Sequence, residues 1–238
     1  YANGAEALPH VILDAEAVAW VLWLCAKHAE QLPSDARATF AKEVGAKIEA
    51  AAEFLEAWSD PRTGLPRTAF NPDELRDAPS PELAIHTYMG LQSALALAAL
   101  SGQERPDWRK RAQELQAIIR ARYVDDDGFW RLENPERFWN VDLVPSTHPR
   151  WLPILQQSLK SLNLKKKASP HAAGEALFAA AMLSPSHTGI RKEIRAILEK
   201  TRTDNPADSD KTPLAFPPDS YIAALRYLAW EKITEKPS

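Results

Sequence analysis

The connection between residues 123 and 170 holds the densest store of groups that could act on a ligand. Phe129, Trp130, Phe138, Trp139 and Trp151 supply flat rings, and Asp125, Asp126, Asp127, Glu133, Glu136 and Asp142 supply carboxylates between them. Such rings stack on the apolar faces of sugars, and carboxylates accept hydrogen bonds from hydroxyls. The same rings could instead plug the loop onto a core, since tryptophan is mostly buried for packing. Asp73, Glu74 and Glu82 form a second set of acids, functional as proton donor and neighbour, or ordinary carboxylates at a positive helix end. His86 and His171, each near a helix start, could orient a hydroxyl or be satisfied in packing, and no His-x-x-x-His spacing suggests a metal. Ser146, Ser184 and Ser220 lack a nucleophile-elbow context, and the glycines form no phosphate cradle. Lys165, Lys166 and Lys167 read as a solvated loop.

Composition narrows the classes that this chemistry could serve. With 29 Lys plus Arg against 32 Asp plus Glu, the net charge of −3 gives no reason to expect a nucleic-acid partner. The 238 residues, 45% hydrophobic and 26% charged, are enough for one sizeable core or two small ones without disulfide or metal staples. The single cysteine, Cys25, sits in an apolar run and reads as a small buried hydrophobe. That run, Ala15 to Ala26, contains Glu16 and falls short of the roughly 18 to 20 residues of a membrane span, so no membrane partner is expected. The opening Tyr-Ala-Asn-Gly has neither an initiator methionine nor a signal peptide, which points to a processed product or a piece of something longer.

Positioning these groups falls to helices. Proline (19) outnumbers glycine (8), alanine and leucine abound and β-branched runs are rare, so the chain reads as all-α with stiff connections. The expected helices are 12–31, 34–58, 82–101, 105–122, 149–163, 170–183, 187–201 and 218–234. Ser34 is an N-cap candidate, Gly102 a C′ candidate, and Pro106 opens the fourth helix. Two kinds of helix alternate. Ala15 to Ala26, Leu91 to Leu100, Ala176 to Leu183 and Tyr221 to Trp230 are apolar nearly all round, as helices covered on several sides are. Between them lie one-sided helices with stripes Phe40, Val44, Ile48, Ala52, Leu55; Trp108, Ala112, Leu115, Ile119; and Ile190, Ile194, Ile197.

That alternation predicts concentric helix layers, a single α/α-hairpin domain over residues 1–238 built as an α/α toroid or an open solenoid. Links from buried to surface helices are short, whereas links back (59–81, 123–170, 201–218) are long. The long loops should therefore gather above the N-termini of the buried helices, where a rigid scaffold commonly carries a site.

The run Trp58-Ser59-Asp60-Pro61-Arg62-Thr63-Gly64-Leu65-Pro66, followed by His86-Thr87-Tyr88 and an Ala/Leu-rich helix, resembles glycoside hydrolase family fifteen, the glucoamylase, glucodextranase and trehalase-like group. Trp108 to Ile119, Asp125 to Trp130, Pro170-His171-Ala172-Ala173-Gly174-Glu175 and Pro213-Leu214-Ala215-Phe216 to Leu225 resemble later segments. The resemblance implies a six-hairpin toroid of which this chain is the C-terminal two-thirds, completed by an N-terminal partner chain or segment. It further implies cleavage of an α-glucan or small α-glucoside with inversion and without a cofactor, by an acid and a base roughly 6.5–9.5 Å apart. The family's acid lies in a Trp-Glu-Glu run; here Pro72-Asp73-Glu74-Leu75 stands in its place, so Glu74 is the candidate acid and Glu82 the fallback. For the base, Asp204 and Asp208 stand in the matching stretch, with Asp210 and Asp219 nearby. Trp130, Trp139, His86, Tyr88, His171 and Glu175 are the implied substrate contacts. A catalytically silent relative, acting as a saccharide-binding or scaffold subunit, fits the broken acid run and the short chain as well, and an unrelated protein-binding solenoid is a third option.

Overall fold

The computed structural model describes residues 15–57, 59–60, 63–66, 80–164 and 170–202, and these are mostly helical with no strand among them. The helices are α1 (Ala15–Gln31), α2 (Ser34–Ala57), α3 (Pro81–Leu100), α4 (Pro106–Tyr123), α5 (Trp151–Leu164), α6 (Pro170–Leu183) and α7 (Arg191–Arg202), with short 3₁₀ turns at Pro135–Phe138 and Thr188–Ile190. The expected helix at 218–234 lies outside the described residues. The chain forms two compact units, Tyr1–Asp125 and Asp126–Ser238.

In the first unit α3 is the core helix, in contact with α1, α2 and α4. From Leu83 to Leu91 every residue is buried, which a helix achieves only when neighbours cover all its sides. Its ends follow from local chemistry. Ser80 caps the start, its hydroxyl accepting from the Leu83 amide. At the far end the Gly102 amide donates to the Ala99 carbonyl and that of Gln103 to Ala98, a Schellman pair that needs the left-handed backbone of Gly102 (φ 78°). Pro106 then starts α4.

The α4 stripe packs as expected, with Trp108, Ala112, Leu115 and Ile119 all buried, whereas the α2 stripe is met in part: Ile48, Ala52 and Leu55 are buried, Phe40 and Val44 are only half-buried, and Ala41 is buried beside them. Each fully buried aliphatic side chain contributes about 1.5–3 kcal/mol relative to exposure, so such a stripe outweighs the roughly 1 kcal/mol that a mid-helix glycine costs.

Two expectations need correction. α1 is apolar round most of its girth but is not covered all round: Val21 and Leu24 remain 55% and 57% exposed. The longest apolar stretch is not in α1 either. α3 is long and apolar enough to cross a membrane by length and composition, and 72% of that stretch is buried within the fold, its apolar surface taken up by α1, α2 and α4.

In the second unit α6 occupies the central place, touching α5, α7 and the Pro135–Phe138 turn. Ala176, Leu177, Ala179, Ala180, Ala181 and Leu183 of α6 are buried, and α7 presents Ile194, Ile197 and Leu198. In the first unit the expected alternation therefore fails at α1, which is one-sided like α2 and α4, and α3 alone is buried all round.

Candidate functional site

Helices α1 and α3 run parallel. Glu16 meets His86, Trp20 also meets His86, and a Cβ on Gly90 would meet Ala19, so positions advance together along both helices. Their N-termini therefore share one end of the first unit. At that end Glu16 Oε1 lies 2.8 Å from His86 Nδ1, and the Trp20 ring tilts against the imidazole with centroids 5.2 Å apart. The imidazole is almost wholly buried, whereas the Glu16 carboxylate is part-exposed. His86 is thus a packed group that steadies an accessible acid. Glu82, half-buried in the first turn of α3, stands one turn before His86 on the same helix.

Tyr88 is turned to a different task from the one its sequence context implied. It is buried, and its hydroxyl accepts from the Gln116 side-chain amide on α4 at 3.2 Å. Ser59 to Pro66, the segment that carries much of the family resemblance, closes on itself as a tight loop: the Asp60 amide donates to the Leu65 carbonyl and the Gly64 amide to the Asp60 carbonyl, both at 2.8 Å. Arg111 of α4 pins it, donating from Nη2 to Ser59 Oγ (2.5 Å) and to the Gly64 carbonyl (2.9 Å), while Leu65 is fully buried beneath.

The second unit holds an open cleft of about 420 Å³, lined by residues 129–130 and 132–136 and by Arg150, Ile154, Gln157 and Ser158. Its aromatic lining is fixed. Phe129 and Trp130 line it and rest on Trp151 and Phe138 behind them, and all four rings are at most 2% exposed. Trp151 meets Phe129 edge-on (4.9 Å) and donates from Nε1 to the Pro145 carbonyl, and Trp130 tilts on Phe138 (5.7 Å). The Arg150 guanidinium lies 4.5 Å over the Phe129 ring, a cation–π contact that covers one ring face. Trp130 is therefore a core residue whose edge reaches the cleft rather than an open stacking platform. Its indole N–H is buried without a hydrogen-bond partner among the described residues. The walls are polar: Glu133, Asn134, Glu136 and Gln157, with Ser158 Oγ donating to Glu136 Oε1 at 3.3 Å.

Among the remaining sequence candidates, Trp139 is half-buried and meets Phe178 of α6 edge-on at 5.4 Å. His171 and Glu175 fall one turn apart on α6, and their side chains are outside what the structure describes. Glu74, Asp204 and Asp208 lie outside the described residues altogether. Glu82, His86 and Tyr88 belong to the first unit, Trp130, Trp139, His171 and Glu175 to the second. Among the described residues no three His, Cys, Asp or Glu side chains gather to hold a metal ion.

Sequence reasoning missed Glu16 as a site group and passed over Asn134, Arg150 and Gln157. Glu16 carried a readable signal, being a lone acid beside the buried stripe Ala15, Ala19 and Trp23. Arg150, Asn134 and Gln157 carried none, because polar loop and helix residues look alike until the chain is folded.

Comparison with known proteins returned nothing: no family model, no curated protein and no solved structure matches this chain.

Proposed function

We propose that this chain is a carbohydrate-active helical-hairpin domain, arranged as part of an α/α toroid, and that the cleft of the second unit receives a saccharide. The observation that carries this reading is the cleft's construction. Side-chain carboxylates, amides and a guanidinium line an open concavity beside rigid aromatic rings, and polar groups held on a fixed scaffold are what fix the orientation of a polyhydroxylated ligand. Recognition there runs through hydrogen bonds and ring edges, since packing and Arg150 occupy the ring faces.

The catalytic form of this reading rests on the family resemblance. An α-glucosidic bond would be hydrolysed with inversion, Glu74 or Glu82 protonating the leaving oxygen and Asp204 or Asp208 activating water. A silent saccharide-binding subunit is the second reading, and it is favoured by the burial of Trp130 and Tyr88, two of the implied substrate contacts.

Two measurements test the proposal. Tryptophan fluorescence and calorimetry with maltose, trehalose, maltodextrins and dextran should show saturable binding that weakens on Gln157→Ala or Glu136→Gln; no binding across the panel overturns the proposal. Glucose release from the same sugars, lost in Glu74→Gln or Glu82→Gln, distinguishes the enzyme from the silent form.

A further inference from the structure

Three side chains lie against the Phe129 ring: Trp151 edge-on at 4.9 Å, His148 tilted at 4.8 Å, and the Arg150 guanidinium over its face at 4.5 Å. Two of them are held. Trp151 is buried and donates from Nε1 to the Pro145 carbonyl. The half-buried His148 places Nε2 3.2 Å from the Asp127 carbonyl, and its Nδ1 accepts from the Arg150 backbone amide. The Arg150 side chain differs, being long, exposed and part of the cleft lining together with Phe129. The ring itself is 0% exposed, so the face beneath Arg150 is hidden by a group of the cleft wall.

A cover of this kind is exchangeable. The face of an aromatic ring is its negative side, and a guanidinium over it at an exposed site is weakly held because water competes for the cation. Rotation about the side-chain bonds of Arg150 leaves the backbone, Trp151 and His148 in place and opens the ring face to the cleft. What replaces the guanidinium there must be flat and positively polarised. The C–H face of a pyranose is both, and its hydroxyls leave from the ring edge, where Asn134, Glu136 and Gln157 supply polar partners. We propose that Arg150 occupies a stacking subsite in the free chain, and that a bound pyranose displaces the guanidinium and lies over Phe129. This inference rests on the reading of the cleft as a saccharide site. It goes beyond it in naming the ring that stacks, the side chain that moves and the flat ligand face that is required.

Two readouts on the full chain test it. Side-chain protons of Arg150 lie over an aromatic ring and are shielded by its current, so their NMR signals stand upfield of those of other arginines. Titration with maltose should carry them back to the ordinary arginine position as the cleft fills. In calorimetry Arg150→Ala, which empties the subsite in advance, should tighten maltose binding by about two- to fivefold, the gain from removing a weak, exposed cation–π competitor. Sorbitol, which carries hydroxyls but no flat ring, should show neither effect, and an equal response to it overturns stacking. Maltose binding that leaves the Arg150 signals shielded, or that is unchanged or weaker in Arg150→Ala, overturns the displacement and leaves the saccharide site standing. Absence of binding to every sugar overturns both. The NMR readout uses the unaltered chain, and circular dichroism of Arg150→Ala checks that the helices are retained.

Discussion

Gly90 and Ala19 meet so closely that a Cβ on Gly90 would fall 2.8 Å from the Ala19 Cα and 2.9 Å from Leu55 Cδ1. Three helices converge at this point, α1 and α3 side by side with the end of α2 against them. The missing side chain at Gly90 lets α1 approach near enough for Glu16 and Trp20 to reach His86.

Replacing Gly90 by alanine should therefore destabilise the first unit, although alanine is the better helix former by about 1 kcal/mol. The clash is with backbone, so relief requires the helices to part, and overpacking of this kind costs typically about 1–3 kcal/mol. Gly45 is the control. It sits within α2, and a methyl placed there would meet nothing within 4 Å, so Gly45→Ala should stabilise by up to about 1 kcal/mol. Urea denaturation of both variants gives the two signs, and a stabilised Gly90→Ala would show that α1 and α3 are not in this register.

Trp130 separates a packing role from a binding role. At 1% exposure its truncation to alanine should cost about 3–5 kcal/mol of stability, as large core deletions do. A ring that served mainly as a sugar platform would instead tolerate truncation in thermal melts and lose affinity alone. A melting temperature unchanged by the substitution would contradict the burial of this ring.

Arg111 holds the Ser59–Pro66 loop through two donated hydrogen bonds, so Arg111→Ala should free the loop without unfolding α4. Hydrogen bonds from charged donors contribute about 1.5–3 kcal/mol each, enough to raise the open population of the loop at least about tenfold. Limited proteolysis should then cut near the exposed Thr63 well before the helices, and an unchanged cleavage pattern would mean that Leu65 burial alone keeps the loop closed.

Helix placement was legible because period and punctuation agree. The stripe from Trp108 to Ile119 and the Gly102 and Pro106 signals gave α4 and its junction with α3 within a residue or two. What periodicity cannot convey is coverage. Val21 and Leu24 look as core-bound as Leu22 in sequence, yet they are exposed, because the apolar character of a face does not state whether anything lies on it. The rings of residues 129–151 were ambiguous for a related reason: a tryptophan looks the same whether it faces a sugar or a leucine, and here burial decides for packing. The Glu16–His86 pair joins positions seventy residues apart, and only the parallel packing of α1 and α3 brings them together.

Cys25 provides a prediction in pH. Its partial burial in α1 disfavours the thiolate and pushes the thiol above its ordinary value. The folded chain thus holds the proton more tightly than the unfolded chain. This contribution to stability is fully present below the unfolded thiol's value, roughly 8.5, and is lost as pH rises through the folded one. The thiolate is the reactive form, so alkylation by iodoacetamide in native buffer should be slow near neutrality and should reach its half-maximal rate at a higher pH than in urea. Rate profiles measured from about pH 7 to 10.5, with and without about 8 M urea, bracket the ordinary thiol value and provide the comparison. A native profile that coincides with the urea profile, or lies to its acid side, would show that Cys25 is solvated and that α1 is less closely packed at this turn.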